Sequence, residues 1–384
     1  MERPVPRPLR FAVHAAAGPI RRTPAAWGLG LHRICIAGPA RKPGATFGRA
    51  IRLAGVHARA TLILLSMSHP SSHYSRRAFT KLALASLPAG LLALPELRAA
   101  ALKPDSKFAG VQIGLNVPYS FKEPGMSGDD ILANCIALGL SAVELRAQPI
   151  EAFLGVAPEL IGAKSNVLKG PAADANAETL RRWRQSAPVA RAREFRRKWE
   201  NAGVKIEILK VDRIFAMDDG SLDYVFNLAK AVGARAISTE ISKNEADLQR
   251  LGQFADKHRL PVGYHGHAST TPAHWERAFS FASYNHANVD LGHFVAGNKT
   301  SVVDFIRQHH ARITHVHVKD RKANEGPNKP FGEGDTPIRE VLRLIRDNRW
   351  NIQATIEFEY PIPAGSDRMK ELARAIKYCR DALV

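Results

Sequence analysis

Cysteine is the scarcest chemistry in this chain, with three residues in 384: Cys35, Cys135 and Cys379. So few thiols exclude a disulfide-built scaffold and any thiolate-dominated metal centre. Acidic residues are also thin, 36 Asp and Glu against 55 Lys and Arg, for a net charge of +19. That surplus would suit a nucleic-acid partner if it formed a basic face, but residues 1–66 hold eleven Lys/Arg and a single acid, and residues 102–384 carry only about +6 without a basic run. A moderately basic globular body with no nucleic-acid partner is the reading. Long apolar runs are missing too. The stretch from Leu82 to Leu94 is too short for a stable span of roughly 20 residues, which excludes a stable membrane anchor. A glycine-rich dinucleotide fingerprint is absent from "NVPYSFKEPGMSG", which occupies the first strand-to-helix turn.

The first 66 residues are rich in Arg, Ala, Pro and Gly and show no period that would bury a face. After them "SRRAFTK" precedes the apolar run and the small residues Ala99 to Ala101. A charged start, a short apolar middle and an A-x-A-like end make an export signal over residues 67–101. "SRRAFTK" matches the twin-arginine pattern, an address read by the Tat export machinery. The sequence therefore predicts a periplasmic or secreted protein. It also predicts that translation starts at Met67 and that residues 1–66 are upstream sequence or a disordered extension.

From residue 102 onward the chain alternates. Short apolar runs at 110–116, 141–146, 204–211, 234–242, 261–268, 287–294, 313–320 and 352–360 read as strands. Between them 128–139, 188–202, 221–232, 244–259, 272–283, 300–311 and 336–349 carry helical periodicity, and 366–383 follows the last strand. Eight such repeats predict an α/β fold, a parallel sheet closed as a (β/α)8 barrel over residues 102–384. An open doubly wound sheet is the alternative. Residues 147–187 are irregular and predict a helical excursion over the barrel mouth. In a closed barrel Cys135 and Cys379 sit on neighbouring helices, and two buried free thiols are expected rather than a bridge.

The most unusual strand is "ITHVHVKD". His315, His317 and Lys319 fall at alternate positions and share one face. Polar residues gather at the other strand ends as well: Glu144 and Arg146, Glu240, His265 and His267, Asp290 with His293 three residues on, and Glu357 with Glu359. In a closed barrel these ends converge on the active face. Each alone has a plain structural explanation, as a paired strand-end charge or a hydrogen-bonded histidine. Together they make a set of buried charges that is costly unless paired or coordinated. A mixed oxygen and nitrogen donor set suits Mn, Mg, Zn or Co.

With "HVHVKD", "D-x-x-H" and "TIEFEY" in hand, residues from about 108 to 384 resemble the xylose isomerase-like TIM-barrel superfamily of sugar phosphate isomerases and epimerases, in its Tat-exported branch. The resemblance implies a metal site of Glu240, Asp290, His317 and Glu357, with Glu359 as an alternative to Glu357. It implies Glu240 and Glu357 as the catalytic acid/base pair that moves a proton beside a sugar carbonyl through an enediolate. It implies His293, His265 or His267, Lys319, Arg146 and Glu359 as substrate contacts, and a homodimer is a common state for such barrels. Because phosphorylated sugars are a cytoplasmic currency, export favours a free or oxidised sugar such as a keto-glycoside. The rival classes are a lyase, dehydratase or hydrolase starting with the same proton abstraction, a phosphodiesterase like the AP endonucleases, and a non-catalytic sugar-binding relative.

Overall fold

The computed structural model describes residues 103–123, 125–161 and 171–384. The export signal, Met67, Cys35 and the extension 1–66 lie outside the described residues, as do residues 162–170 of the excursion.

Eight parallel strands form the barrel: β1 (Val111–Val117), β2 (Ala142–Arg146), β3 (Lys205–Lys210), β4 (Ala236–Glu240), β5 (Val262–His265), β6 (Asn285–Asp290), β7 (Ile313–Val318) and β8 (Gln353–Ile356). Each pairs with its sequence neighbours, and β8 pairs back with β1 to close the cylinder. The expected TIM barrel is the fold, and the open sheet is ruled out by that closing pair.

Period-two alternation divides each strand between two environments. On β7, Val316 and Val318 join the hydrophobic core while His315 and His317 face other polar strand residues. On β1, Leu115 and Val117 belong to the core, and Asn116 between them bonds Glu357. Valine and leucine on the outer face pack against the helices, so the apolar core is a sleeve around the sheet. The helix Ile338–Asp347 shows why such segments fold as they do: Ile338, Val341, Leu342 and Ile345 recur at three- and four-residue spacing and are all buried.

Helix starts are marked in the expected way. Ser127, Asp218, Asn244, Ser301 and Asp367 each accept a backbone N–H of the helix that follows. Cys135 and Cys379 are buried free thiols. Among the described residues no helix is long and apolar enough to cross a membrane. Among its described residues the excursion contains three helices, Ala147–Leu154, Pro158–Ile161 and Pro171–Ser186.

Several strands are shorter than the sequence reading, those read as 234–242, 261–268 and 313–320 ending at Glu240, His265 and Val318, and two differences reshape the site. The stretch read as one strand over 287–294 turns into a helix, Leu291–Gly297, because Asp290 caps it by accepting the N–H of His293 at 2.7 Å. The last strand ends at Ile356 instead of running to residue 360, so Glu357 and Glu359 stand on the loop that leaves it. A two-stranded ribbon, Asp320–Arg321 with Asn328–Lys329, also follows β7.

Candidate metal and substrate site

Four ligand atoms, one each from His265, Asp290, His317 and Glu357, lie within 4.8 Å of one another, and all four residues are buried. Strand register brings them together: Asp290 is level with His317 across β6–β7, and Thr355, two residues before Glu357, is level with His317 across β8–β7.

Three members are those expected from the sequence. The fourth is His265; Glu240 falls in an adjoining group with His265 and His267, whose ligand atoms also lie within 4.8 Å of one another. The Glu240 carboxylate stands beside it, 2.9 Å from His265 Nδ1, 2.7 Å from His267 Nε2 and 2.7 Å from the Lys210 ammonium. Glu240 and His267 keep 48% and 57% of their side-chain surface open, so both can be reached from solvent.

His317 is held from behind. Its Nε2 lies 2.6 Å from Glu144 Oε2 and 3.0 Å from the Asn288 amide, and Glu144 and His317 are wholly buried. Its Nδ1 has no hydrogen-bond partner, although it faces Glu357 at 3.4 Å and Asp290 at 3.9 Å. A buried imidazole nitrogen aimed at two carboxylates without a bond is what a metal ligand looks like before the ion arrives. Burial opposes charging His317, yet the Glu144 and Glu357 carboxylates outweigh it and push its pKa up to about 10. The same burial opposes ionisation of Glu144, but the His317 and His315 imidazoles hold its carboxyl well below the usual range. His315, behind the cluster, goes the other way, and desolvation lowers it to about 4.

Lys319 fills the centre. Its ammonium is 2.7 Å from both Glu357 and Glu359, 3.1 Å from Asp290 and 3.2 Å from His293 Nε2. Burial would discharge it, but Asp290, Glu357 and Glu359 raise its pKa above the ordinary lysine value. Asn116 donates to Glu357 Oε1 at 2.9 Å, and the Tyr119 hydroxyl donates to Glu359. Four carboxylates (Glu144, Asp290, Glu357 and Glu359) thus meet two protonated partners, Lys319 and His317. The cluster is two negative charges from neutrality, the charge of one divalent cation. Donor chemistry, the unpartnered Nδ1 and this imbalance agree: the residues fit a divalent metal.

The other expected residues are close at hand. His293 is lowered to about 4, chiefly by burial, and its Nδ1 lies 2.7 Å from the Arg321 guanidinium. Arg146 pairs with Asp212 and sits 5.2 Å over the Tyr119 ring, one residue removed from the cluster. The sequence reading gave no role to Asn116, Tyr119, Lys210 or Asn288. Lys210 alone left a signal, a lysine at the end of an apolar strand. Asp320, which could pass for a solvated strand end, is buried and accepts three backbone N–H groups, from Gly332, Gly334 and Thr336. That bundle folds the segment after β7 back over the mouth, where Asn328 reaches Glu359 at 3.3 Å.

Residues 246–382 match the family model described as "Xylose isomerase-like TIM barrel". No curated protein matches the chain. Solved structures of the same fold include a xylose isomerase domain protein from Alicyclobacillus acidocaldarius, 12% identical, covering 71% of this chain and 99% of that one with a TM-score of 0.50. A xylose isomerase domain protein from Planctomyces limnophilus is 15% identical, over 72% and 97% of the two chains, with a TM-score of 0.48. A 3-keto-D-glucoside 4-epimerase from E. coli is 13% identical, over 71% and 99%, with a TM-score of 0.48. At 12% identity and a TM-score of 0.50 the Alicyclobacillus structure speaks for the fold alone, and no conclusion rests on the other two. The resemblance read from "HVHVKD" and "TIEFEY" is therefore matched by that family model over residues 246–382, the second half of the barrel.

Proposed function

We propose that the protein is a divalent-metal-dependent enzyme that removes a proton beside the carbonyl of a sugar, as an isomerase or epimerase. The observation that carries this reading is the unpartnered His317 Nδ1, buried and directed at Asp290 and Glu357 with His265 alongside. His265, Asp290, His317 and Glu357 would hold the ion. Bound there, a divalent cation polarises a carbonyl and acidifies the neighbouring carbon-bound proton.

The chain's own residues supply the rest. Glu240 is ionised, solvent-reachable and outside the four-residue group, which suits it to take the proton on Oε2. His267, 2.7 Å away, can relay that proton to solvent. Glu357 approaches from β8, across the mouth from β4, and is the candidate for returning a proton on the other face. Lys319 and His293 present hydrogen-bond donors where negative charge develops on oxygen. Burial of the set behind Tyr119 and the Asp320-anchored loop limits water at the reacting carbon.

The reaction stops short of a single product class. A lyase or dehydratase begins with the same proton abstraction, and the fold serves either outcome. The deciding experiment joins metal analysis to a screen of aldoses, ketoses and keto-glycosides for exchange of a carbon-bound proton with solvent deuterium. Metal-dependent exchange supports the reading; stoichiometric metal with no exchange on any class ends the proton-abstraction proposal. We also propose export by the Tat pathway, on the "SRRAFTK" stretch. Retention of the native protein in the cytoplasm after Arg76→Lys and Arg77→Lys is the expected result, and unchanged export defeats it.

A further inference from the structure

A cavity of about 330 Å³ lies next to the barrel mouth, between the helix Pro171–Ser186 and the segment that follows β3. None of the four clustered residues lines it. Its volume is at the lower end of small-molecule sites, roughly 300–1,000 Å³. Two of its wall residues place it at the active end of the barrel: Gln148 comes four residues after Glu144, and Asp212 two after Lys210. Asp212 is the joint between the two sites. It accepts from Gln148 at 3.2 Å and pairs with Arg146, which lies over the Tyr119 ring that bonds Glu359.

Charge selects the kind of ligand. Arg184 is held by Glu151, and Arg181 by Glu178 and Asp218, so these cations are already neutralised. With Asp212 also in the wall, four acids stand against three arginines, Arg213 included, so no net cationic surplus is left for a phosphate or sulfate. Polar groups without a protein partner remain in this wall. Gln148 Oε1 is buried with no partner, and the exposed Arg213 guanidinium has no partner among the described residues. A planar acceptor and a fork of donors, with Leu160 and Met217 as apolar wall, are suited to a neutral ring rimmed with hydroxyls.

We infer that this cavity is a subsite for a second, neutral sugar unit, so that the substrate is a glycoside or disaccharide. The inference rests on the proposed function for the identity of the reacting unit, but the cavity and its unpaired groups are independent of the metal cluster. Calorimetric titration of the metal-loaded protein with cellobiose, maltose and trehalose, each against glucose, tests it. Two variants accompany the wild type: Gln148→Leu, and Arg213→Gly, which suits the left-handed backbone at that residue (φ +56°). At least one disaccharide is expected to bind about tenfold more tightly than glucose, and both variants should erase most of that margin, as the loss of one hydrogen bond to a charged or buried group predicts. Zinc affinity and thermal unfolding should stay unchanged. Equal affinity for glucose and all three disaccharides overturns the inference, and so does a margin that survives both substitutions, or phosphate bound in their place. A disaccharide margin without deuterium exchange would sink the proposed reaction and leave the subsite standing; exchange without the margin does the reverse.

Discussion

Replacing Glu144 by glutamine should weaken metal binding without touching a ligand. In the native protein the Glu144 carboxylate stands 2.6 Å from His317 Nε2, which holds a proton on that nitrogen and makes Nδ1, facing Asp290 and Glu357, the one that gives up its proton to an ion. Glutamine preserves the shape, removes the charge, and can present an N–H that favours the opposite tautomer. Partners of this kind change metal affinity by about 10–100-fold, or about 1.4–2.7 kcal/mol at 1.36 kcal/mol per tenfold. Complete burial of both side chains places the expected effect toward the upper part of that range. Competition against a chromophoric chelator measures the affinity, and nitrogen NMR of His317 in zinc-loaded protein shows which ring nitrogen keeps its proton. Wild-type affinity in a folded Glu144→Gln protein, or an unchanged tautomer, would refute the argument that this carboxylate orients the ring.

Three more outcomes follow from the same contacts. Metal-free protein should be most stable near pH 6.5: His317, raised to about 10, contributes stability that is lost as pH climbs from about 6.5 through 10, while His293 and His315, lowered to about 4, lose theirs as pH falls from about 6.5 toward 4. Urea melts across that range check it, and stability still increasing from pH 7 to 10 would contradict the His317 assignment. Glu240→Gln should retain stoichiometric metal and lose about 10²–10⁴-fold in deuterium exchange, whereas Glu357→Gln should lose both; metal loss in Glu240→Gln would restore Glu240 to the ligand set. Asp320→Ala leaves three backbone N–H groups without their acceptor and should cost on the order of 3 kcal/mol or more, read by thermal unfolding.

The barrel was legible because alternation is a strong signal. Valines 316 and 318 against histidines 315 and 317 can satisfy only a sheet with one apolar and one polar face. Asp290, His317 and Glu357 were legible for a related reason: buried-strand ends have little use for such residues. What could not be read was height along the barrel. Glu240 is level with His265 on the neighbouring strand, and only that register decides which of the two reaches Asp290. Glu357 and Glu359 alternate like strand residues, although β8 has already ended, because an extended loop keeps the same period. The partners from β1 and β6, Asn116 and Asn288, are ordinary polar residues until closure of the cylinder sets them against Glu357 and His317. Asp320 was hidden by its surroundings, since the amides it collects come from residues twelve to sixteen places later. Gly334 shows how tight that collection is: a methyl group there would fall 1.9 Å from the Asp320 carboxylate.

Lys319 gives the pocket a tethered competitor. Its ammonium pairs with Asp290, Glu357 and Glu359 and offsets their mutual repulsion. A cation binding there would have to displace that ammonium, which would set a threshold on affinity and discriminate against weakly bound ions. The displaced amine would then be free to pair with whatever molecule enters with the metal.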